Sequence, residues 1–208
     1  MDYKWARDFT LELINQYSIT GSEVEASYNN QADYLRRLPK LLNDAQVYVA
    51  TNAGKIRTVA ALKSLQSRKV GAWFLYQLPE DCWQVCSGGL IRMDGPVMQR
   101  YHRYHLMGDN GIAVPDELDG EMFLEYYRYP VLLGQEPAER TKLDNTVEAQ
   151  MALPYYVAAH LVMQDDAFAY ATLYNEFESK LARLGERLQT ELNVVEDAYS
   201  AAEYLYNA

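Results

Sequence analysis

The chain has 208 residues, 49% of them apolar, and carries 29 acidic against 19 basic side chains for a formal net charge of −10. That length is enough to bury a full core in one domain with room for a further layer or an extension. The field of so acidic a chain opposes nonspecific attachment to DNA, RNA or anionic lipid, so any basic groove has to be local.

Cys82 and Cys86 are too few for a disulfide scaffold, and the start MDYKWARDF lacks the apolar core of a signal peptide. No apolar run approaches the roughly eighteen residues of a membrane span. A soluble protein made in the cytosol is expected, with no membrane partner. The 18 tyrosines are the compositional oddity. Tyrosine joins an apolar body to a polar tip and suits surfaces buried only on assembly, although strands enrich it too.

Trp5, Phe9, Leu13 and Tyr17 fall on one helical stripe, which predicts a helix over Tyr3–Tyr17 that ends in the Gly-containing loop Ser18–Ser22. A start signal at Ser27–Asn30 opens a second helical pattern through Ala32, Leu35, Leu38, Leu42, Ala45 and Val49, stopped by Asn52 and Gly54. Pro39 lies inside it and predicts two helical pieces with a bend.

Beyond Gly54 the period changes. Ile56–Leu62 and Gly71–Leu78 read as strands, and Cys82–Val85 and Gly89–Met93 as a strand pair about a Ser87-Gly88-Gly89 turn. The basic run Lys55, Arg57, Lys63, Arg68 and Lys69 reads as a solvated face. Tyr101–Val114 predicts a hairpin turning at Asn110-Gly111, and Glu121–Tyr129 a further aromatic strand closed by Pro130.

Gly134–Thr141 is a polar connector into two more helices. Met151, Tyr155, Ala158 and Val162 mark the first, and Tyr170, Tyr174, Phe177, Leu181, Leu184 and Leu188 the second, with Asp165-Asp166 as the cap between them. So short a connection predicts an antiparallel helix hairpin. Glu191–Ala208 is acidic, carries Val194, Val195, Tyr199, Tyr204, Leu205 and Tyr206, and reads as a tail that orders on a partner.

Helices, strands and helices are therefore segregated, which predicts an α+β fold. The expected layout is a helical bundle body with a C-terminal helix hairpin, an inserted antiparallel β region, and an extended C-terminal tail. The boundaries are N-terminal helices over 1–54, the β insertion over 55–133, the hairpin completing the body over 134–190, and the tail over 191–208.

No catalytic signature is present. Cys82, Cys86, His102 and His105 have the ligand types for tetrahedral zinc, but on strands His102 and His105 point to opposite faces, and buried free cysteine is the cheaper reading. Ser87-Gly88-Gly89 lacks the following G-K-[ST] of a phosphate loop, and no G-x-S-x-G or H-E-x-x-H spacing occurs. The acidic clusters at Glu80-Asp81, Asp116–Glu121 and Asp165-Asp166 match no calcium loop. His160 sits among apolar neighbours without a catalytic partner in view. The tyrosine-rich strands could stack bases only beside positive charge, and Arg100, Arg103 and Arg128 are offset by Glu121 and Glu125. No enzyme activity and no cofactor or metal are expected.

The order of these elements carries a resemblance. LPEDCWQV at Leu78–Val85, RYHRYHLMGDNGI at Arg100–Ile112, MFLEYYRYP at Met122–Pro130 and ALPYYVAAHLVMQDDAFAYATLYNEFESKLARL at Ala152–Leu184 together resemble the head–tail connector (adaptor) proteins of tailed bacteriophages, over residues 30–188. The resemblance implies a structural, non-enzymatic protein of the virion neck, made in the host bacterial cytoplasm and forming a ring of about twelve copies under the portal protein. The ring would extend the DNA channel and dock a tail or neck protein. Helices would form the ring body, the β part would project toward the tail, and the C-terminal segment would insert against the portal. A net negative lumen lets DNA pass without specific binding. The alternative function is a nucleic-acid-binding or zinc-binding module using the Tyr/Arg-rich strands with Cys82 and Cys86.

Overall fold

Asp2 starts the first helix, α1 (Tyr3–Leu13), by accepting a hydrogen bond from the Trp5 backbone N–H at 3.0 Å. The Tyr3 and Lys4 N–H groups, which a helix leaves without internal partners, donate to the Thr141 and Glu139 carbonyls at 2.8 and 2.9 Å. The computed structural model describes residues 1–14, 28–95, 97–108, 110–116 and 120–185. Within α1 the buried residues are Tyr3, Ala6, Thr10 and Leu11, while Trp5, Phe9 and Leu13 of the predicted stripe are only half-buried. The face turned inward is thus rotated from the aromatic one.

Helix α2 (Tyr28–Asn52) is a single helix with Pro39 inside it, which corrects the expected division into two pieces. Leu38, Leu42, Ala45 and Val49 on either side of the proline are all fully buried. Burying a leucine or valine side chain stabilises by about 1.5–3 kcal/mol, so several together exceed the roughly 3 kcal/mol that an interior proline costs. After α2 and the β region come α3 (Val147–Gln150), capped by Thr146, α4 (Leu153–Val162), and α5, the helical residues 167–185. Asp166 caps α5 by accepting from the Phe168 and Ala169 N–H groups. Ring contacts pair His160 with Tyr170 and Tyr174, and Tyr156 with Phe177, while Lys180 lies over Tyr155. That order means α4 and α5 run antiparallel.

Among the described residues, eight strands lie between α2 and α3: β1 (Ile56–Ala61), β2 (Ser67–Val70), β3 (Trp73–Gln77), β4 (Cys82–Asp94), β5 (Val97–Tyr101), β6 (His105–Met107), β7 (Gly111–Pro115) and β8 (Glu121–Arg128). They form two four-stranded antiparallel sheets, ordered β1-β8-β4-β5 and β2-β3-β7-β6. Leu90, Leu124 and Tyr126 of the first sheet and Ile112 and Val114 of the second share one buried cluster, so the sheets pack face to face.

The helical-bundle body with a β insertion is therefore corrected, although the α+β class stands. The chain divides into two compact units, Ile56–Tyr129 and the remainder (Met1–Lys55 with the chain from Pro130 onward), and the first is a large β structure with a core of its own. The helical unit is built on a separate cluster that includes Leu42, Val49, Leu153, Val157, Phe177 and Leu181.

Three local expectations are also corrected. Ser87-Gly88-Gly89 is an irregularity inside the continuous strand β4, whose register on β8 shifts between Val85 and Leu90. Gly88 has φ +61° there, and a Cβ on Gly89 would lie 2.6 Å from the Glu125 carbonyl oxygen, so the strand kinks where no side chain fits. Tyr101–Met107 is not one strand, because Tyr101 pairs with Leu90 in one sheet while His105–Met107 pairs with β7 in the other. The turn joining β6 to β7 has its left-handed residue at Gly108 (φ +61°), with Gly111 already paired to Met107, so Asn110-Gly111 is not the turn pair. The basic run contributes the exposed edge strand β2, paired to β3.

Candidate functional site

Residues 130–146, an extended segment of the helical unit, are held on α2 by side-chain amides. Asn43 both donates to and accepts from the Leu133 backbone, at 2.9 and 2.7 Å. Fully buried Gln46 accepts from the Asp144 N–H at 3.2 Å, and its carbonyl accepts from the Asn145 amide at 3.2 Å. Gln150 donates to the Leu143 and Asn145 carbonyls at 3.0 and 2.6 Å. These groups replace the pairing that an irregular backbone otherwise lacks.

The hairpin carries an aromatic face. His160 stacks on Tyr156 at 4.0 Å between ring centres, and its Nδ1 lies 2.8 Å from the Tyr156 carbonyl oxygen, so Nδ1 donates. Tyr170 and Tyr174 stack on each other at 5.6 Å and present edges to His160. Phe177 is fully buried beneath Tyr48, Tyr156 and Tyr174. Burial pushes the Tyr174 phenol up to about 12, with Tyr48 and the hydrogen-bonded Glu178 carboxylate adding to it. Burial and nearby Asp44 raise Tyr156.

Of the predicted stripe, Phe177 and Leu181 are buried, Tyr170, Tyr174 and Leu184 are half-buried, and Leu188 lies outside the described residues. The predicted tail residues Val194, Val195, Tyr199, Tyr204, Leu205 and Tyr206 lie outside them as well.

In the β unit an Arg57–Glu125–Arg100 cluster crosses the first sheet. Glu125 on β8 is buried, Arg57 on β1 approaches it at 2.5 Å, and Arg100 on β5 at 3.4 Å, so both edge strands are tied to the interior. Burial raises the Cys86 thiol, with Glu125 second, and burial pushes Cys82 up to about 11. Both are therefore thiols at neutral pH and poor nucleophiles. Among the described residues no three His, Cys, Asp or Glu side chains gather as metal ligands. A cavity of about 190 Å³ is lined by Phe74, Tyr76 and Phe123, and its carboxylates Glu121 and Asp116 are engaged by Lys63 and Lys69.

The surface most distinct from an ordinary one is the rim formed by β5 and β6. Each is an edge strand, and the chain passes from one to the other through His102–Tyr104. Val97, Met98, Leu106 and Met107 are 50, 65, 56 and 53% exposed. Arg103 is exposed and, among the described residues, has no ion-pair partner. Sequence reading missed this rim because Gly95-Pro96 looks like a break and MQR lacks apolar alternation. Of the two carboxylates expected to offset Arg100, Arg103 and Arg128, Glu125 pairs with Arg100, whereas Glu121 pairs with Lys63.

Phe168, 82% exposed, is a further apolar group that the stripe pattern gave no reason to single out. No helix among the described residues is long and apolar enough to cross a membrane. No protein-family model and no curated protein matches the chain.

Proposed function

We propose that this chain is a structural head–tail adaptor of a tailed phage, assembling as a ring under the portal protein and extending the DNA channel toward the tail. The observation that carries the assembly is the apolar surface left bare on the edge strands β5 and β6 of the single chain, with Met98 at 65%, Leu106 at 56% and Met107 at 53% exposed. Large apolar side chains left bare on edge strands are what a partner's surface covers. The phage assignment rests on the resemblance of the phrases at Leu78–Val85, Arg100–Ile112, Met122–Pro130 and Ala152–Leu184.

Two features support the same reading. The face of Tyr48, Tyr156, Tyr170 and Tyr174 has the residue type favoured where a surface is wet before assembly and dry after it. The net charge of −10 suits a conduit that duplex DNA must traverse without adhering. Negative-stain microscopy of the portal protein of the same phage, with and without the purified chain, tests it. An added ring of density on the portal is expected, and an unchanged portal at saturating chain overturns the reading.

A further inference from the structure

The charge of this molecule is divided unevenly. The β unit, Ile56–Tyr129, has eight basic and nine acidic residues, so −9 of the total −10 belongs to the rest of the chain. Within the β unit the segment Val97–Met107 contains no acidic residue, two arginines and two histidines. Arg100 is engaged by Glu125, while Arg103 stands exposed in the link between β5, which carries the bare Met98, and β6, which carries the bare Leu106 and Met107. Methionine and arginine without lysine or glutamate is the composition of an interface centre.

The helical unit offers the complement. Tyr48, Tyr156, Tyr170 and Tyr174 form a half-buried aromatic face, with Glu178 hydrogen-bonded to Tyr174 and Asp44 beside Tyr156. Neither carboxylate is in an ion pair among the described residues. Arg37, near His160, is already held by Asp33 and the His160 carbonyl. Tyrosine faces flanked by unpaired carboxylates favour a guanidinium, which stacks on the rings while pairing with an acid, and they accept apolar side chains around it.

We propose that the β5–β6 rim of one copy docks, through Arg103 and its flanking apolar side chains, on the acidic tyrosine face of the helical unit of a second copy. The inference rests on the ring reading and names the surfaces by which neighbours meet. The contact is heterologous, since the two surfaces differ, and it closes a ring when the rotation between neighbours divides a full turn.

The test is a charge exchange in the full chain. In Arg103→Glu the rim and the tyrosine face are both negative, and in the double variant Asp44→Lys/Glu178→Lys both are positive, so each variant alone is self-repelling. In an equimolar mixture, alternating copies place opposite charges at every junction. Native mass spectrometry is expected to show each variant's oligomer reduced about tenfold or more and the mixture restored to near the wild-type level. Circular dichroism checks that each variant is folded; Arg103→Ala, which removes the contact without reversing charge, is expected to weaken assembly as well.

Single variants that assemble as wild type overturn the inference and leave the ring reading standing. Wild type that is monomeric even with portal protein overturns both. If the mixture is not restored, and wild type binds a labelled single-stranded oligonucleotide with affinity that falls steeply with salt, the rim is a nucleic-acid surface and the inference fails.

Discussion

Replacing Asn43 by alanine removes the one side chain that pairs both backbone groups of Leu133. The two bonds, at 2.9 and 2.7 Å, are made to a residue only 7% exposed, so water does not readily replace them. Each bond contributes about 0.5–1.5 kcal/mol net, and each buried group left unpaired costs about 1–3 kcal/mol. Partial relaxation of the 130–146 segment recovers some of this, which leaves a loss of about 2–4 kcal/mol. With a urea slope of about 2 kcal/mol per M, the unfolding midpoint of the helical unit, followed by circular dichroism at 222 nm, falls by about 1–2 M. Asn52 on the same helix makes an exposed bond to the Tyr48 carbonyl at 2.8 Å, and its alanine variant is expected to change stability by less than about 0.5 kcal/mol. Equal, small effects from the two variants would refute the claim that side-chain amides hold the extended segment on α2.

Phe177→Ala empties the space beneath Tyr48, Tyr156 and Tyr174 and is expected to cost about 3–5 kcal/mol in chemical denaturation; a loss below about 1 kcal/mol would place Phe177 outside the core. With Cys82 held up to about 11 and Cys86 raised by burial, neither thiol is expected to react with Ellman's reagent in the native protein at pH 7.5, and both react in denaturant. Rapid native labelling would contradict the burial. Tyr126, pushed up to about 12 chiefly by burial and then by its bond to Asp81 at 3.1 Å, is neutral in the fold, so its stabilisation is present below about pH 10, the unfolded value, and is lost as pH rises through about 12. Denaturation between pH 9 and pH 12 is expected to show a steeper loss for wild type than for Tyr126→Phe, and equal slopes would refute the assignment.

The helices were legible because their periodicity is long and their caps are chemical. Asp166 is a side chain whose oxygen satisfies first-turn N–H groups, and a sequence states such a residue openly, whereas the Thr146 cap opens a helix, α3, too short to show a period. The α2 proline misled because the cost of one missing donor is local, whereas the burial that outweighs it is spread over Leu38, Leu42, Ala45 and Val49.

The β region was legible as strands and not as sheets. Register on a distant partner decides whether Gly88-Gly89 turns the chain or only kinks it, and whether Tyr101 and His105 share a sheet. Such pairings connect residues far apart in sequence and leave no local period. The same limit hid the rim, since Met98 and Leu106 are ordinary apolar residues until the strand order puts both at edges.

The central claim is that this chain closes into a ring with copies of itself. Native mass spectrometry of the full-length protein over a range of concentrations, alone and with its portal protein, tests it most directly. One closed oligomer of fixed stoichiometry, about twelve copies, is the predicted result. A spectrum of monomers under both conditions would contradict it.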